Sequence, residues 1–175
     1  IQKIAQEVSP ILTEFSSKIS QNEKLFQRIK KVFDEKENLN LNEEQKTLLN
    51  ETYKGFVRNG ALLNEEDKKK LEKIDIELSV KSLNFGQNVL AATNAYFKHI
   101  TNKEDLAGIP EPILAQYAEE AKERELEGYA ITLQYPSYIP AMTYADNRNL
   151  RQELALANGK KAFDGGEFDN QNLIK

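Results

Sequence analysis

The segment from residue 64 to about residue 95 constrains the fold most, because no proline interrupts its helical pattern. At about 1.5 Å per residue, such a helix would be roughly 48 Å long, which exceeds the width of a compact domain of this size. Its apolar residues form two stripes: Leu71, Ile74, Leu78, Phe85 and Val89 on one side, and Ile76, Val80, Leu83 and Leu90 on the other. A helix that is apolar on two sides packs between layers. We therefore expect one stripe to lie exposed in this chain, where a neighbour would cover it.

Further helices are predicted on both sides of this segment. The apolar spacing in residues 1–18 and 22–36 predicts two amphipathic helices that each pack one face inward, with Pro10 bending or restarting the first. Asn42 and Asn64 each precede acidic residues and are expected to cap the next two helices. Gly86, inside the long helix, is expected to permit a close helix contact or a bend.

The second half of the chain changes character. Aromatic and β-branched runs at about 95–100 and 129–134 predict two short strands that pair antiparallel. Their connection should hold a helix that opens at Pro110-Glu111-Pro112 and stops near Gly128. Residues 135–140 read as a rigid corner that leads into a short helix through Tyr144, and Asp146 or Asn147 as the cap of a helix ending near residue 158. The predicted fold is mainly α, a multi-helix bundle with one long helix (about 64–95) and this small two-stranded antiparallel ribbon.

Composition excludes several classes of protein. His99 is the only histidine and there is no cysteine, so the chain cannot form a multi-histidine zinc site, a cysteine cage, a disulfide or a thiol nucleophile. A net charge of −4 argues against nucleic acid and anionic membranes as partners. No apolar run approaches the roughly 20 residues that span a bilayer. The absence of cysteine favours a cytoplasmic location, and a periplasmic one stays open.

Candidate functional residues each allow a structural alternative, which we favour. His99 could act as a general base, but it lies on a predicted strand with no partner residue in a known arrangement. Asp164, Glu167 and Asp169 surround Gly165-Gly166 and could bind calcium, but they lack the regular ligand spacing of a calcium loop and fit a solvated turn better.

Two further clusters are interpreted as packing or surface features. Tyr135, Tyr138 and Tyr144 could line a peptide groove, although half-buried packing is the favoured interpretation. The charged run at 65–70 predicts exposed ion pairs, Glu65 with Lys69 and Glu66 with Lys70. The residues themselves thus predict no catalytic, cofactor-binding or metal-binding site in this chain.

Several segments, in the same order and at similar spacing, resemble the zinc metallopeptidases of the thimet oligopeptidase family, in particular its peptidyl-dipeptidase (dipeptidyl carboxypeptidase) and oligopeptidase A branch. These segments are LNETYKGFVRNGA (49–61), LS (78–79), FGQNVL (85–90), TNA (93–95), DLAGIP (105–110), PSYIP (136–140), TYADNR (143–148) and GGEFDN (165–170). Residues 154–161 are smaller than the aromatic helix usual there in that family.

The resemblance implies a mostly helical two-domain enzyme with a deep channel between its halves. The family's zinc lies on a distal helix bearing H-E-x-x-H, whose glutamate is the general base. No zinc ligand or base of that motif occurs here, so no family catalytic residue can be placed on this chain. The matching region lies upstream of the zinc motif and contributes to the wall that admits only short peptides.

We therefore expect residues 1–175 to be a single helical region, a fragment of a larger two-domain metallopeptidase that lacks the zinc-binding part. Its first residue, Ile1, is not methionine, which also suggests a piece of a longer protein. Its expected partners are the missing catalytic half of the same chain and short peptides, with zinc bound only by the full-length protein. The fragment alone should be inactive. Two alternatives remain: a helical protein-interaction scaffold without peptidase activity, and a degenerate homologue that has lost its zinc site.

Overall fold

Eight α-helices, two β-strands and two short 3-10 helices (Lys36–Asn38 and Lys103–Leu106) make up the computed structural model, which describes all residues from Ile1 to Lys175. The helices are α1 (Gln2–Ser20), α2 (Glu23–Asp34), α3 (Glu43–Arg58), α4 (Glu65–Ala95), α5 (Glu111–Lys122), α6 (Tyr135–Tyr144), α7 (Arg148–Lys160) and α8 (Gln171–Ile174), and the strands are β1 (Phe97–Ile100) and β2 (Tyr129–Thr132). The predicted mainly α class, the long helix and the antiparallel ribbon are confirmed. None of the helices is both long enough and apolar enough to cross a membrane.

Asn42 and Asn64 cap the N-terminal ends of α3 and α4. The Asn42 side-chain oxygen accepts a 2.9 Å hydrogen bond from the Gln45 amide, and the Gln45 side chain accepts one of 3.0 Å from the Asn42 amide. Asn64 accepts a 2.9 Å bond from the Asp67 amide. These bonds satisfy first-turn amides that have no partner within the helix, as the sequence predicts.

The chain divides into two compact units, residues 1–83 and 84–175. In residues 1–83 the packing centres on Phe26, a fully buried residue of α2. Its ring stacks on Tyr53 and Phe56 of α3, with centroids 5.6 and 6.2 Å apart, and Phe33 stacks on Tyr53 at 3.9 Å. Ala61 is the only other buried hydrophobic residue of this unit, so its core is small.

The prediction that α1 packs its apolar face inward is wrong. Ile4, Ile11, Leu12 and Phe15 are all exposed, and Leu12 keeps 58% of its surface accessible. The helix is continuous from Gln2 to Ser20, so Pro10 does not restart it. The amphipathic pattern therefore predicted a helix correctly but not the burial of its face, because the small core around Phe26 does not reach that face.

Residues 84–175 contain a larger core, and the two-stranded ribbon lies in it. The strands pair antiparallel, with Phe97 opposite Thr132 and Ile100 opposite Tyr129. The buried cluster combines the ribbon with α5, α6, α7 and the loop before α5; its members are Ile100, Leu106, Ile109, Leu114, Tyr117, Ile131, Ala141, Ala145, Leu150 and Leu154. A two-stranded ribbon is marginally stable alone. Here most of β2 and Ile100 are buried against the helices, whereas Phe97 and His99 of β1 stay exposed.

The helix in the connection ends earlier than predicted. Glu125 adopts a left-handed conformation (φ 59°), and the Leu126 amide donates a 3.0 Å bond to the Ala121 carbonyl. This is the helix-ending motif that usually has glycine at the left-handed position. Gly128, just before β2, is needed for a different reason. It adopts φ 92°, and a Cβ atom on it would lie 2.5 Å from the carbonyl oxygen of Ile100 in β1.

The segment 135–140, predicted to be a corner, is instead part of α6. Pro136 lies in its first turn, where a proline lacks no helical hydrogen bond because first-turn amides have no partner within the helix. The Ser137 and Tyr138 amides both donate to the Gln134 carbonyl, at 2.9 and 2.8 Å. Asn147 caps α7, as one of the two predicted alternatives, by accepting from the amides of Asn149 and Leu150.

Candidate functional site

Two of the family-like segments, 105–110 and 143–148, meet in the core of residues 84–175. The Asp146 amide donates a 2.8 Å hydrogen bond to the Ala107 carbonyl. Gly108 adopts φ 88°, and a Cβ atom on it would lie 2.3 Å from the Tyr144 carbonyl oxygen. No larger residue fits there without moving the backbone, so the contact between these segments requires glycine.

A second pair of family-like segments, 85–90 and 165–170, meets at Asn170. This side chain is 1% exposed. Its oxygen accepts a 2.9 Å bond from the Asn88 side chain, and its nitrogen donates to the Phe85 carbonyl at 3.3 Å. Its backbone amide donates to the Ala162 carbonyl at 2.9 Å. Asn170 therefore holds the chain before α8 against the second half of α4.

The segment 136–140 is tied to the ribbon by Ser137. Its hydroxyl accepts a 2.9 Å bond from the Thr132 amide, and its carbonyl accepts a 2.7 Å bond from the Tyr117 hydroxyl. Burial raises the pKa of Tyr117 to about 12. These five segments thus share a structural role: their polar groups make contacts that hold the fold of residues 84–175 together.

An open pocket of about 420 Å³ lies in the same unit, between the end of α4, the end of α7 and the loop that follows α7. Ala92, Leu133 and Ala157 contribute to its apolar wall, and Lys160 lies at its edge. Tyr96 also lines it, and the Tyr96 hydroxyl is buried without a hydrogen-bond partner. Burial, reinforced by the charge of Glu153, raises the pKa of Tyr96. The wall includes residues 156 and 157, in the stretch that is smaller than the family pattern.

His99 does not form a catalytic arrangement or a zinc site. It lies on β1, and its Nε2 atom is 2.6 Å from the Glu127 carbonyl oxygen. A carbonyl oxygen only accepts, so this nitrogen carries the proton and donates. With one histidine engaged by the backbone, and no group of three histidine, cysteine or acidic side chains placed to hold a metal, the residues of this chain do not fit zinc.

The acidic turn after α7 uses its carboxylates to accept backbone bonds. Asp169 accepts from the Gly165 and Gln171 amides at 2.7 and 2.8 Å, and Asp164 accepts from the Gly166 amide at 3.0 Å. The bond from Gly165, followed by that from Gln171, holds the pKa of Asp169 below its ordinary value. The carboxylates of Asp164, Glu167 and Asp169 do not assemble into a set of calcium ligands.

The charged run at the start of α4 forms one of its two predicted ion pairs. Glu66 pairs with Lys70 at 2.8 Å. Glu65 pairs with Lys68 at 3.1 Å rather than with Lys69, because a residue three positions along the helix also lies on the same face.

The three tyrosines around α6 do not form a shared groove. Tyr138 packs against the core, as the packing interpretation predicts. Tyr135 is 77% exposed and Tyr144 is also exposed. A peptide groove lined by all three side chains is therefore not formed.

Sequence reasoning missed one surface, an open groove of about 710 Å³ within residues 1–83. Val8 and Leu12 of α1 and Leu78 and Leu83 of α4 contribute to its sides. Leu78 is 59% exposed, in agreement with the expectation that α4 leaves an apolar stripe uncovered. The apolar spacing of α1 indicates this surface in the sequence, although the spacing alone predicts a buried face.

Comparison with known proteins confirms the resemblance. No protein-family model matches the sequence. The chain is 33% identical over its full length to Oligopeptidase A of Escherichia coli K12 and covers 26% of it. It is 31% identical to the Probable cytosolic oligopeptidase A of Arabidopsis thaliana over 97% of the chain and 25% of that protein. It is 29% identical over its full length to Dipeptidyl carboxypeptidase of E. coli K12, again covering 26%. The chain is thus homologous to about a quarter of each of these proteins.

Proposed function

We propose that this chain is a non-catalytic part of a longer zinc-dependent oligopeptidase or peptidyl-dipeptidase, and that it forms part of the channel wall there. The observation that carries the proposal is the 33% identity to Oligopeptidase A over the whole chain, which covers 26% of that protein. The segments that resemble the family support it, because their polar groups make the contacts that hold residues 84–175 together.

Zinc in such a peptidase would activate water for attack on the peptide bond. The residues described above do not fit this metal, so its ligands and the general base are assigned to the remainder of the longer protein. The contribution of these 175 residues is shape: helices that border a channel exclude folded proteins and admit short peptides. The catalytic part of the same chain and short peptides are the proposed partners, and the cytoplasm is the proposed location, supported by the name of the Arabidopsis relative.

The proposal is tested by purifying residues 1–175 and the product of the full reading frame in parallel. The longer protein should contain H-E-x-x-H after residue 175, bind zinc in equal molar amount and cleave short peptides. Residues 1–175 should do neither. One tightly bound zinc per 175-residue chain, measured by atomic emission, would contradict the proposal, as would peptide hydrolysis by that chain.

A second candidate function is a helical scaffold that binds a partner protein. The observation in its favour is the uncovered stripe of α4, where Ile74 and Leu78 are each 59% exposed. Apolar surface of this kind marks interaction sites when it is contiguous. A reading frame that encodes no zinc motif would favour the scaffold.

A further inference from the structure

The groove within residues 1–83 is long enough to receive one helix. Its lining along α1 runs from Ala5 to Ser20, which corresponds to about 22 Å at 1.5 Å per residue, or roughly four helical turns. Val8 and Leu12 line it from α1, and Leu78 and Leu83 line it from α4. The remaining lining consists mostly of small polar and alanine side chains, including Ala5, Ser9, Ser16, Ser79 and Ser82. An incoming helix could approach closely between the larger apolar residues, as ridges of one helix pack into the grooves of others.

Exposed apolar surface around the groove also favours an element that covers it. The apolar face of α1 and the stripe of α4 beside the groove are both exposed, and Phe26 and Ala61 are the only buried hydrophobic residues of this unit. A helix satisfies its own backbone hydrogen bonds, so it can lie against these apolar side chains without leaving buried polar groups unpaired.

The charge of the groove indicates which kind of residue the covering helix should carry. Asp75 is the only charged residue that lines the groove, and it forms no ion pair within the chain. A basic residue on the covering helix would pair with it in a partly desolvated setting, where such a pair also fixes the register.

We propose that the groove receives an amphipathic helix from the remainder of the longer protein, with its apolar face between Leu12 and Leu78 and a lysine or arginine opposite Asp75. The inference rests on the proposed function, since it assigns the covering helix to that longer chain. About three quarters of the length of Oligopeptidase A lies outside the matched region, which leaves ample chain to supply one helix.

Residues 1–175 contain no cysteine, so an introduced thiol is unique within them. The unmodified longer protein gives the background rate from any cysteine outside them. Ser82→Cys places a thiol in the groove, and Lys73→Cys places one on the same helix, also at an exposed position. The two positions are nine residues apart, which is about 900° or two and a half turns of helix, so they lie on opposite sides of α4. The rate of reaction with a thiol reagent is measured for each variant in residues 1–175 and in the longer protein.

In residues 1–175 both thiols should react at rates within a few fold of each other. In the longer protein the Ser82→Cys thiol should react at least tenfold more slowly, while the Lys73→Cys rate stays unchanged. Equal rates in the longer protein would overturn the inference. So would protection within residues 1–175 that rises with protein concentration, because a second copy would then be the occupant.

Peptide hydrolysis by the same preparations separates this inference from the proposed function. A longer protein that cleaves peptides but leaves the Ser82→Cys thiol reactive overturns only the inference. A longer protein that protects the thiol but cleaves no peptide overturns only the proposed function. Asp75→Asn gives a second measurement: it should reduce the protection of the Ser82→Cys thiol, expressed as the ratio of its reaction rate in residues 1–175 to its rate in the longer protein, both measured in the Asp75→Asn background.

Discussion

Asn88 and Asn170 lie 82 residues apart in sequence, and their side-chain amides are joined by a 2.9 Å hydrogen bond. Because Asn170 also donates to the Phe85 carbonyl, one buried amide connects the second half of α4 to the segment before α8. Both residues belong to family-like segments. The bond therefore joins two of these segments directly.

Asn170→Ala should lower the free energy of unfolding by about 1–3 kcal/mol, because the buried Asn170 side chain would no longer accept from the Asn88 side chain or donate to the Phe85 carbonyl. Urea unfolding followed by circular dichroism measures the change. Asn172→Ala, at an exposed position of α8, is the matched control and should change stability by less than about 0.5 kcal/mol. A similar small effect at Asn170 would show that the amide bonds do not stabilise the fold.

Glu125→Gly should stabilise the chain by about 0.5–1 kcal/mol, because Glu125 holds the left-handed conformation (φ 59°) that glycine adopts without steric cost. Glu123→Gly is the control, since Glu123 has φ −61° in the right-handed helical region and gains nothing from glycine. It should destabilise by about 0.5–1 kcal/mol. Thermal unfolding of the two variants should shift the midpoint in opposite directions.

Gly108→Ala should destabilise residues 84–175 by more than about 2 kcal/mol, because the new methyl group would lie 2.3 Å from the Tyr144 carbonyl oxygen at a positive φ. Gly86→Ala is the contrasting substitution. The sequence predicts a close contact or a bend at Gly86, yet a Cβ atom there meets nothing within 4 Å. It should therefore stabilise α4 by up to about 1 kcal/mol. Equal effects in urea unfolding would contradict the structure at both positions.

Tyr117 should make stability depend on pH at high pH. Its pKa rises from the ordinary value of 10.0 to about 12 on folding, because burial disfavours the phenolate. The folded state then holds this proton more tightly than the unfolded state. The resulting contribution to the free energy of unfolding is fully present below pH 10 and is lost as the pH rises towards 12. The loss should amount to about 1.4 kcal/mol per pH unit within that window.

Tyr117→Phe removes this dependence and also the 2.7 Å bond to the Ser137 carbonyl. The free energy of unfolding, measured in urea at pH 9, 10 and 11, should therefore fall less steeply with pH for the variant than for the unmodified chain. Tyr135→Phe, at a 77% exposed position, should leave the slope unchanged. Parallel slopes for all three proteins would exclude Tyr117 as the titrating group.

Phe26→Ala should destabilise residues 1–83 by about 3–5 kcal/mol, because it empties the centre of their small core. Leu78→Gln, at a 59% exposed position, should change stability by less than about 0.5 kcal/mol in the same chain. A large effect of Leu78→Gln would mean that the groove is already covered within residues 1–175.

Local features of the fold were predictable because they depend on neighbouring residues alone. Asn42 and Asn64 cap helices through bonds that span three residues, and the apolar runs around β1 and β2 have the composition of strands. The premature end of α5 was not predictable in this way. It depends on Glu125 adopting a conformation that the sequence favours only for glycine, and Leu126 stabilises that conformation by bonding back to Ala121.

The candidate site was less predictable than the fold. The residues alone could exclude metal and thiol chemistry, because His99 is the only histidine and cysteine is absent. They could not show that the His99 ring donates to the Glu127 carbonyl, or that Tyr96 lines a pocket with its hydroxyl unpaired. Such contacts join residues that are distant in sequence.

The sequence by itself determined the helical character, the long α4 and the resemblance to oligopeptidases, since periodicity, capping residues and motif order are properties of a linear chain. Only the tertiary structure decided which apolar faces are buried. The stripe of α1 and that of α4 have the same periodicity as a core-facing helix, yet Leu12 and Leu78 lie exposed beside a groove. Periodicity records that a face is apolar, whereas burial depends on whether another element is positioned to cover it.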